Sequence, residues 1–354
     1  MCLLNTDLPR FCPRENCSHF KEIDNLITKA GTYTTKNDPV PRQLYWCHGG
    51  KHKFSETAYS ALWHKHGSFK EYTQTAKLKA EGLSNDPIAD VLERDTRTIA
   101  TWSSAISEKS RVWHISLCSM IGIVIRFLQL DELWSFMGSK AQQLWVFAAL
   151  DGPTRFWVVF TTGKRTYKNA KILVGLLYLL DSARCRLLKI TTDQFAGYEK
   201  AINHYFKDRN FVYLQIVKKR VRRRLKTVKK RFVKGTENDF PGGTQNTSFI
   251  ERFNLTIRQK VSYLARKTLG FCRKAENMDE ALWITLFDYN YRQPHHSLRV
   301  RLPGRPRKER FKKRYRPCTP GMKMKLTTAP VDWKFLPKLS DFVCEHCYAC
   351  RTQQ

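Results

Sequence analysis

The chain has 354 residues, 42% of them hydrophobic, enough for a sizeable core in about two or three domains. Lys and Arg number 63 against 31 Asp and Glu, and the formal net charge of +32 points to DNA or RNA as partner. The longest apolar stretch, Met120 to Ile125, is too short for a bilayer span, which argues against a membrane protein. Met1 to Arg10 lacks the pattern of a signal peptide, so an intracellular, cytoplasmic chain is expected, nucleoid-associated in a prokaryote. In that reducing compartment the 11 cysteines read as metal ligands or buried thiols.

Residues 1–66 are rich in Cys, His, Gly and Lys. Cys12-x4-Cys17 and Cys47-x4-His52 are two pairs separated by 29 residues. That is the layout of a zinc-ribbon-like domain, in which each pair holds one turn and Zn²⁺ replaces a core. His48 competes with His52 as fourth ligand, and scattered cysteines without a metal are the plain alternative.

From about Phe69 to Glu108 the pattern is helical. Ile88, Val91 and Leu92 give one apolar face, a short polar turn follows, and Ile99 and Trp102 give another. This suits a helix-turn-helix DNA-binding segment over residues 67–110, whose second helix offers Arg97 and Thr101 to the major groove. An ordinary helical hairpin has the same pattern.

From about residue 126 the period changes. Phe127–Phe136 reads as a strand, Leu144–Phe160 as a hairpin turning at Asp151-Gly152, and Thr166–Leu180 as a helix. Cys185–Thr192 reads as a strand, Phe195–Phe206 as a helix and Phe211–Val217 as a strand; a basic connection then leads to a long helix from near Thr247. This α/β order is that of a ribonuclease H-like (retroviral integrase-like) catalytic domain, expected over residues 126–298.

The connection, Lys218 to Arg231, holds ten cations in fourteen residues. Lys218, Lys219, Arg220, Arg222, Arg223 and Arg224 at its start are placed to guide DNA phosphates, unless the run is merely a solvated loop. Residues 299–354 form a basic tail: Arg299–Arg316 reads as an extended DNA-contacting segment. Cys344-Glu-His-Cys-Tyr-Ala-Cys350 has knuckle spacing, with only Cys318 or His346 to help it.

In this strand order Asp131, on the first strand, and Asp193, just past the fourth, become neighbours, and Glu251 on the late helix packs across them. Such carboxylates repel unless cations bridge them, and their hard oxygens suit two Mg²⁺ (or Mn²⁺) ions. Two such ions activate a water or 3′-hydroxyl and stabilise the leaving oxygen at phosphorus. Asn254 and Arg258 follow Glu251 at i+3 and i+7, a face suited to DNA-backbone contacts or simply to solvent. Glu132 points to the other face of its strand and reads as structural, and Asp151 reads as a turn residue. His295 and His296 suit phosphate contact or a structural role.

Leu130-Asp-Glu-Leu-Trp134, Thr191-Thr-Asp-Gln-Phe-Ala-Gly-Tyr198 and Ile250-Glu-Arg-Phe-Asn-Leu-Thr-Ile-Arg-Gln259 resemble the three catalytic blocks of DDE transposases of the insertion sequence one family. Ala265–Leu269 and Tyr289–Leu298 look like the segments that follow in that family, and the resemblance covers roughly residues 126–330. It implies that Asp131, Asp193 and Glu251 are a metal-binding catalytic triad and that zinc-ribbon and helix-turn-helix modules precede it. It further implies that the partners are double-stranded DNA, both transposon ends and target, and a second copy of the chain in a homodimer or larger oligomer. Two alternatives stay open: a DNA-binding regulator with an inactive core, and a ribonuclease H-like nuclease without strand transfer.

Overall fold

The computed structural model describes residues 12, 14, 16–19, 26–36, 38–58, 62–63, 65, 67–182, 186–221, 224–242, 244–266, 270–302 and 315–338. Cys185, Arg222, Arg223, residues 303–314 of the second basic run and the Cys344–Cys350 cluster lie outside the described residues, as do the side chains of Lys219, Arg220 and Arg224.

The chain opens with a three-stranded antiparallel sheet of β1 (Ile27–Thr35), β2 (Asp38–Cys47) and β3 (His52–Ser55), in that order. Its core is small: Cys12, Ile27 and Cys47 are buried, with Cys17, Tyr45 and Phe54 packed against them. So little buried apolar surface ordinarily needs a metal or a cross-link to stabilise it.

Three helices follow. α1 (Phe69–Ala80) begins at Ser68, which forms a capping box with Glu71. α2 (Asn85–Leu92) ends at Glu93, in the left-handed region at φ 52°. α3 (Thr96–Ile121) is capped by Asp95, which accepts the Arg97 N–H at 2.7 Å. Val91, expected on the inward face of α2, is 65% exposed; this short helix packs along a narrow stripe centred on Ile88 and Ala89. α3 runs beyond Glu108 because Trp113 packs edge-on against Phe287, and Ile115, Leu117 and Cys118 bury with it.

A six-stranded mixed sheet forms the centre. Its elements are β4 (Phe127–Met137), β5 (Ser139–Asp151), β6 (Phe156–Gly163), α4 (Tyr167–Leu180), β7 (Leu188–Thr192), α5 (Ala196–Phe206), β8 (Phe211–Val221) and β9 (Arg224–Lys234). The strand order is β6-β5-β4-β7-β8-β9, with β4, β7 and β8 parallel and the other neighbours antiparallel. This arrangement is compatible with the ribonuclease H-like fold. Asp151 behaves as a turn residue: it is fully buried and accepts from the Arg126, Phe127 and Thr154 N–H groups at 3.0, 3.2 and 3.2 Å.

The basic run after Val217, expected to be a connection, is a β-hairpin instead. Phe232 pairs with Leu214 and packs with Phe240, Val212 and Ile216, while Lys229, Lys230 and Arg231 stay in water on the edge strand. The lysines and arginines hide a strand whose few apolar residues decide its register.

The β4–β5 register separates the two faces of the sheet, with Asp131 opposite Ala148 and Glu132 opposite Phe147. Phe147 meets Tyr198 of α5 edge-on, so Glu132 shares the face covered by α4 and α5. On the other face α6 (Ser248–Lys260) sets Phe253 against Trp157, with ring centroids 4.9 Å apart. α7 (Ala275–Phe287) runs into a π-helical turn, Asp288–Arg292. One hydrophobic cluster extends through α1, α3, the sheet, α6 and α7 to Leu336, so the helices of residues 67–110 share a core with the sheet. Val300 and Arg301 pair with Arg316 and Tyr315, giving the ends of the second basic run an extended ladder. No helix among the described residues is long and apolar enough to cross a membrane.

Candidate active site

Leu130 pairs with Thr192 in the parallel β4–β7 ladder, so the next residues, Asp131 and Asp193, emerge side by side. Asp131 faces α6, where Asn254 Nδ2 donates to its Oδ2 at 2.8 Å. Asp193 Oδ1 accepts the Phe195 N–H at 3.0 Å just ahead of α5.

Gln129, two residues before Asp131 and on the same face of β4, fixes the third element. Its Oε1 accepts the Ile250 N–H at 2.8 Å, and its Nε2 donates to the Asn246 carbonyl at 2.7 Å. The first bond satisfies an amide that the opening turn of α6 leaves without a helical partner. Glu251, the next residue, lines the same pocket, where Lys218 Nζ and Thr247 Oγ1 both donate to its Oε1.

Glu132 does project from the opposite face of β4. Asp193, however, stands past the end of β7, where the sheet no longer separates its two faces. Single carboxylate oxygens of Asp131, Glu132 and Asp193 therefore all lie within 4.8 Å of one another. Arg165, beyond β6, bridges two of them, 3.3 Å from Glu132 Oε2 and 3.4 Å from Asp193 Oδ2. Burial, then the charge of Asp193, pushes Asp131 up to about 7 and Glu132 up to about 8. Glu132 and Arg165 had no signal in the sequence: alternation along β4 sends Glu132 away, and Arg165 is 33 residues distant.

The acids open on a cavity of about 460 Å³ that Asn254 and Arg258 also line. Asn254 is 8% exposed and uses its amide on Asp131, and Arg258 donates to the Leu264 carbonyl at 2.8 Å. The donor set is carboxylate oxygen throughout, which fits Mg²⁺ or Mn²⁺.

A second cluster lies in the small sheet. Cys12 Sγ is 3.2 Å from His52 Nε2, and Cys17 Sγ is 3.8 Å from Cys47 Sγ. His52 Nδ1 donates to the Gly50 carbonyl at 3.1 Å, which leaves Nε2 to the cluster, and the Gly50 N–H donates to Cys47 Sγ at 3.3 Å. His48 turns away to Thr28 Oγ1 at 3.0 Å. Three thiols and one oriented imidazole are a donor set that fits Zn²⁺, with the outer hydrogen bonds such a site uses.

Arg97 and Thr101 are exposed on the first turns of α3, where Thr101 Oγ1 donates to the Arg97 carbonyl at 2.9 Å. His295 is half-buried, which lowers its proton affinity, and its Nδ1 accepts from the Ser297 N–H at 3.3 Å. His296 is exposed beside Arg299, at 2.7 Å. Cys318 is buried and donates to the Thr319 carbonyl at 3.5 Å.

Two carboxylates at the ends of adjacent parallel strands, faced by a third on a crossing helix, are an arrangement compatible with that of DDE-type transposases. Residues 124–238 match the family model described as IS1 transposase, a span that includes Asp131 and Asp193 and ends before Glu251. The chain is 29% identical over 148 residues to the insertion element iso-IS1n protein InsB of Shigella dysenteriae, covering 42% of this chain and 84% of that protein. It is 27% identical over 154 residues to the IS1 protein InsB of Shigella flexneri, covering 44% and 88%. Over 159 residues it is 27% identical to the IS1 4 protein InsB of Escherichia coli strain K12, covering 45% and 72%. Over its central part the chain is thus similar to IS1 transposases, and the relatives it matches are insertion-element proteins.

Proposed function

We propose that this chain is a transposase that binds the terminal inverted repeats of its element through residues 1–110, cuts the DNA ends by hydrolysis, and joins their 3′-hydroxyls to target DNA. The convergence of Asp131, Asp193 and Glu251 on one cavity carries this reading. Two Mg²⁺ or Mn²⁺ ions held there would activate the attacking oxygen and stabilise the leaving one. Asn254 orients Asp131 for that work, Gln129 holds the start of α6, and Lys218 keeps the Glu251 carboxylate turned into the pocket.

The Cys12, Cys17, Cys47 and His52 cluster is read as a zinc-ribbon site that folds the N-terminal sheet. α2 and α3 are read as a helix-turn-helix presenting Arg97 and Thr101 to the major groove. Lys218 begins a basic hairpin whose further cations, with Arg258, follow the phosphates toward the acids. Bringing two ends together requires at least a dimer.

Incubating the full chain with Mg²⁺ and DNA carrying the element's own ends tests this. Joined products are expected. Specific binding without any nick, in Mg²⁺ or Mn²⁺, would favour a DNA-binding regulator; nicking without joining would favour a simple nuclease.

A further inference from the structure

We infer that Glu132 is a fourth carboxylate ligand of the metal centre, an assignment that rests on the metal-binding reading of Asp131 and Asp193 above. The Glu132 side chain is only 2% exposed, against 39% for Asp193. Its Oε2 meets Arg165, but at 3.3 Å and in a contact that Arg165 shares with Asp193. Its Oε1 is buried and makes no hydrogen bond of good geometry; the Tyr198 hydroxyl, also buried, faces Glu132 as a neutral donor.

A carboxylate oxygen enclosed in that way is strongly unfavourable unless a donor or cation reaches it. A purely structural ion pair would satisfy both oxygens of so deep a group. Here the poorly satisfied oxygen belongs to a residue whose ligand atoms are within 4.8 Å of those of Asp131 and Asp193. A divalent cation shared by the two aspartates lies within reach of Glu132 as well. Arg165, its guanidinium 4.4 Å from the Phe195 ring and 5.3 Å from the Trp145 ring, is held where its charge opposes that cation.

Mn²⁺ binding to the full chain, read from the paramagnetic resonance signal of the free ion, tests the assignment without recourse to activity; Mn²⁺ prefers oxygen donors to the thiol cluster. Glu132→Gln should weaken Mn²⁺ binding about tenfold or more. Arg165→Gln should leave it unchanged or tighten it. Glutamine keeps the shape and an acceptor for Arg165, so a merely structural Glu132 would tolerate the change, and wild-type affinity in Glu132→Gln would overturn the inference. Asp193→Asn separates the two levels. If it too binds Mn²⁺ like wild type, the metal reading itself has failed; if it alone loses binding, only the Glu132 assignment falls. Should Glu132→Gln melt well below wild type, Glu132→Asp takes its place: weakened binding supports the assignment, and wild-type binding overturns it.

Discussion

Gln129 accepts the backbone N–H of Ile250 at 2.8 Å, and through this bond β4 fixes the start of the helix that carries Glu251. The strand that carries Asp131 thereby positions Glu251. Gln129 is fully buried, and both of its polar groups are used. Gln129→Leu leaves the Ile250 N–H and the Asn246 carbonyl without this partner, a loss of about 1–3 kcal/mol per buried group. Urea unfolding should register that loss, and DNA cleavage measured well below the unfolding midpoint should fall as well. Cleavage at the wild-type rate would show that α6 is held by other contacts.

Gly82, in the turn between α1 and α2, has φ +90°, and a Cβ there would stand 2.7 Å from the Lys260 carbonyl at the end of α6. The α1–α2 turn and the Glu251 helix therefore touch through backbone. Gly82→Ala combines a left-handed conformation with that clash and should cost about 1–3 kcal/mol. A drop in melting temperature is expected; an unchanged one would mean the contact opens freely.

The Cys12, Cys17, Cys47 and His52 cluster should hold one zinc per chain, measured by elemental analysis of protein kept under reducing conditions. Cys47→Ser should lose it. The small sheet would then become the first site of limited proteolysis, since its remaining core is little more than Ile27, Tyr45 and Phe54. Wild-type protein without zinc would refute the site.

His114 gives a pH dependence whose sign is fixed by burial. Its Nε2 donates to the Val158 carbonyl at 2.8 Å and its Nδ1 accepts from the Tyr291 hydroxyl at 2.9 Å, so the ring is held neutral. Burial pushes it from its ordinary 6.5 down to about 4. The unfolded chain takes up the proton first, so the stabilisation is full above about 6.5 and is lost progressively as pH falls to about 4, by about 3 kcal/mol in all. Stability against urea should fall less steeply over this range in His114→Gln than in wild type, with carboxylate titrations common to both. Parallel curves would contradict the neutral, buried histidine.

What the sequence revealed follows from how local each signal is. Asp131 and Asp193 were legible because each stands in or just after an apolar strand, and one ladder aligns the two strands. Glu251 was legible because its helix has a clear apolar side. Gln129, a lone polar residue two before Asp131 on a buried strand, must share its face, but its partner is not legible locally: Ile250 is 121 residues away. Glu132 lies on the face of β4 that alternation predicts, but alternation does not reveal that Asp193, beyond the sheet's edge, stands close to it. The β8–β9 hairpin was obscured by charge, since Phe232 and Phe240 secure it only once the chain has folded back.

The central claim is that Asp131, Asp193 and Glu251 together hold the metal ions that cut DNA. Single-turnover cleavage of end-bearing DNA in Mg²⁺ tests it most directly, comparing wild type with Asp131→Asn, Asp193→Asn and Glu251→Gln. Each variant is expected to bind the same DNA yet cleave it slower by about a thousandfold or more. Wild-type cleavage by any one of the three would contradict the account.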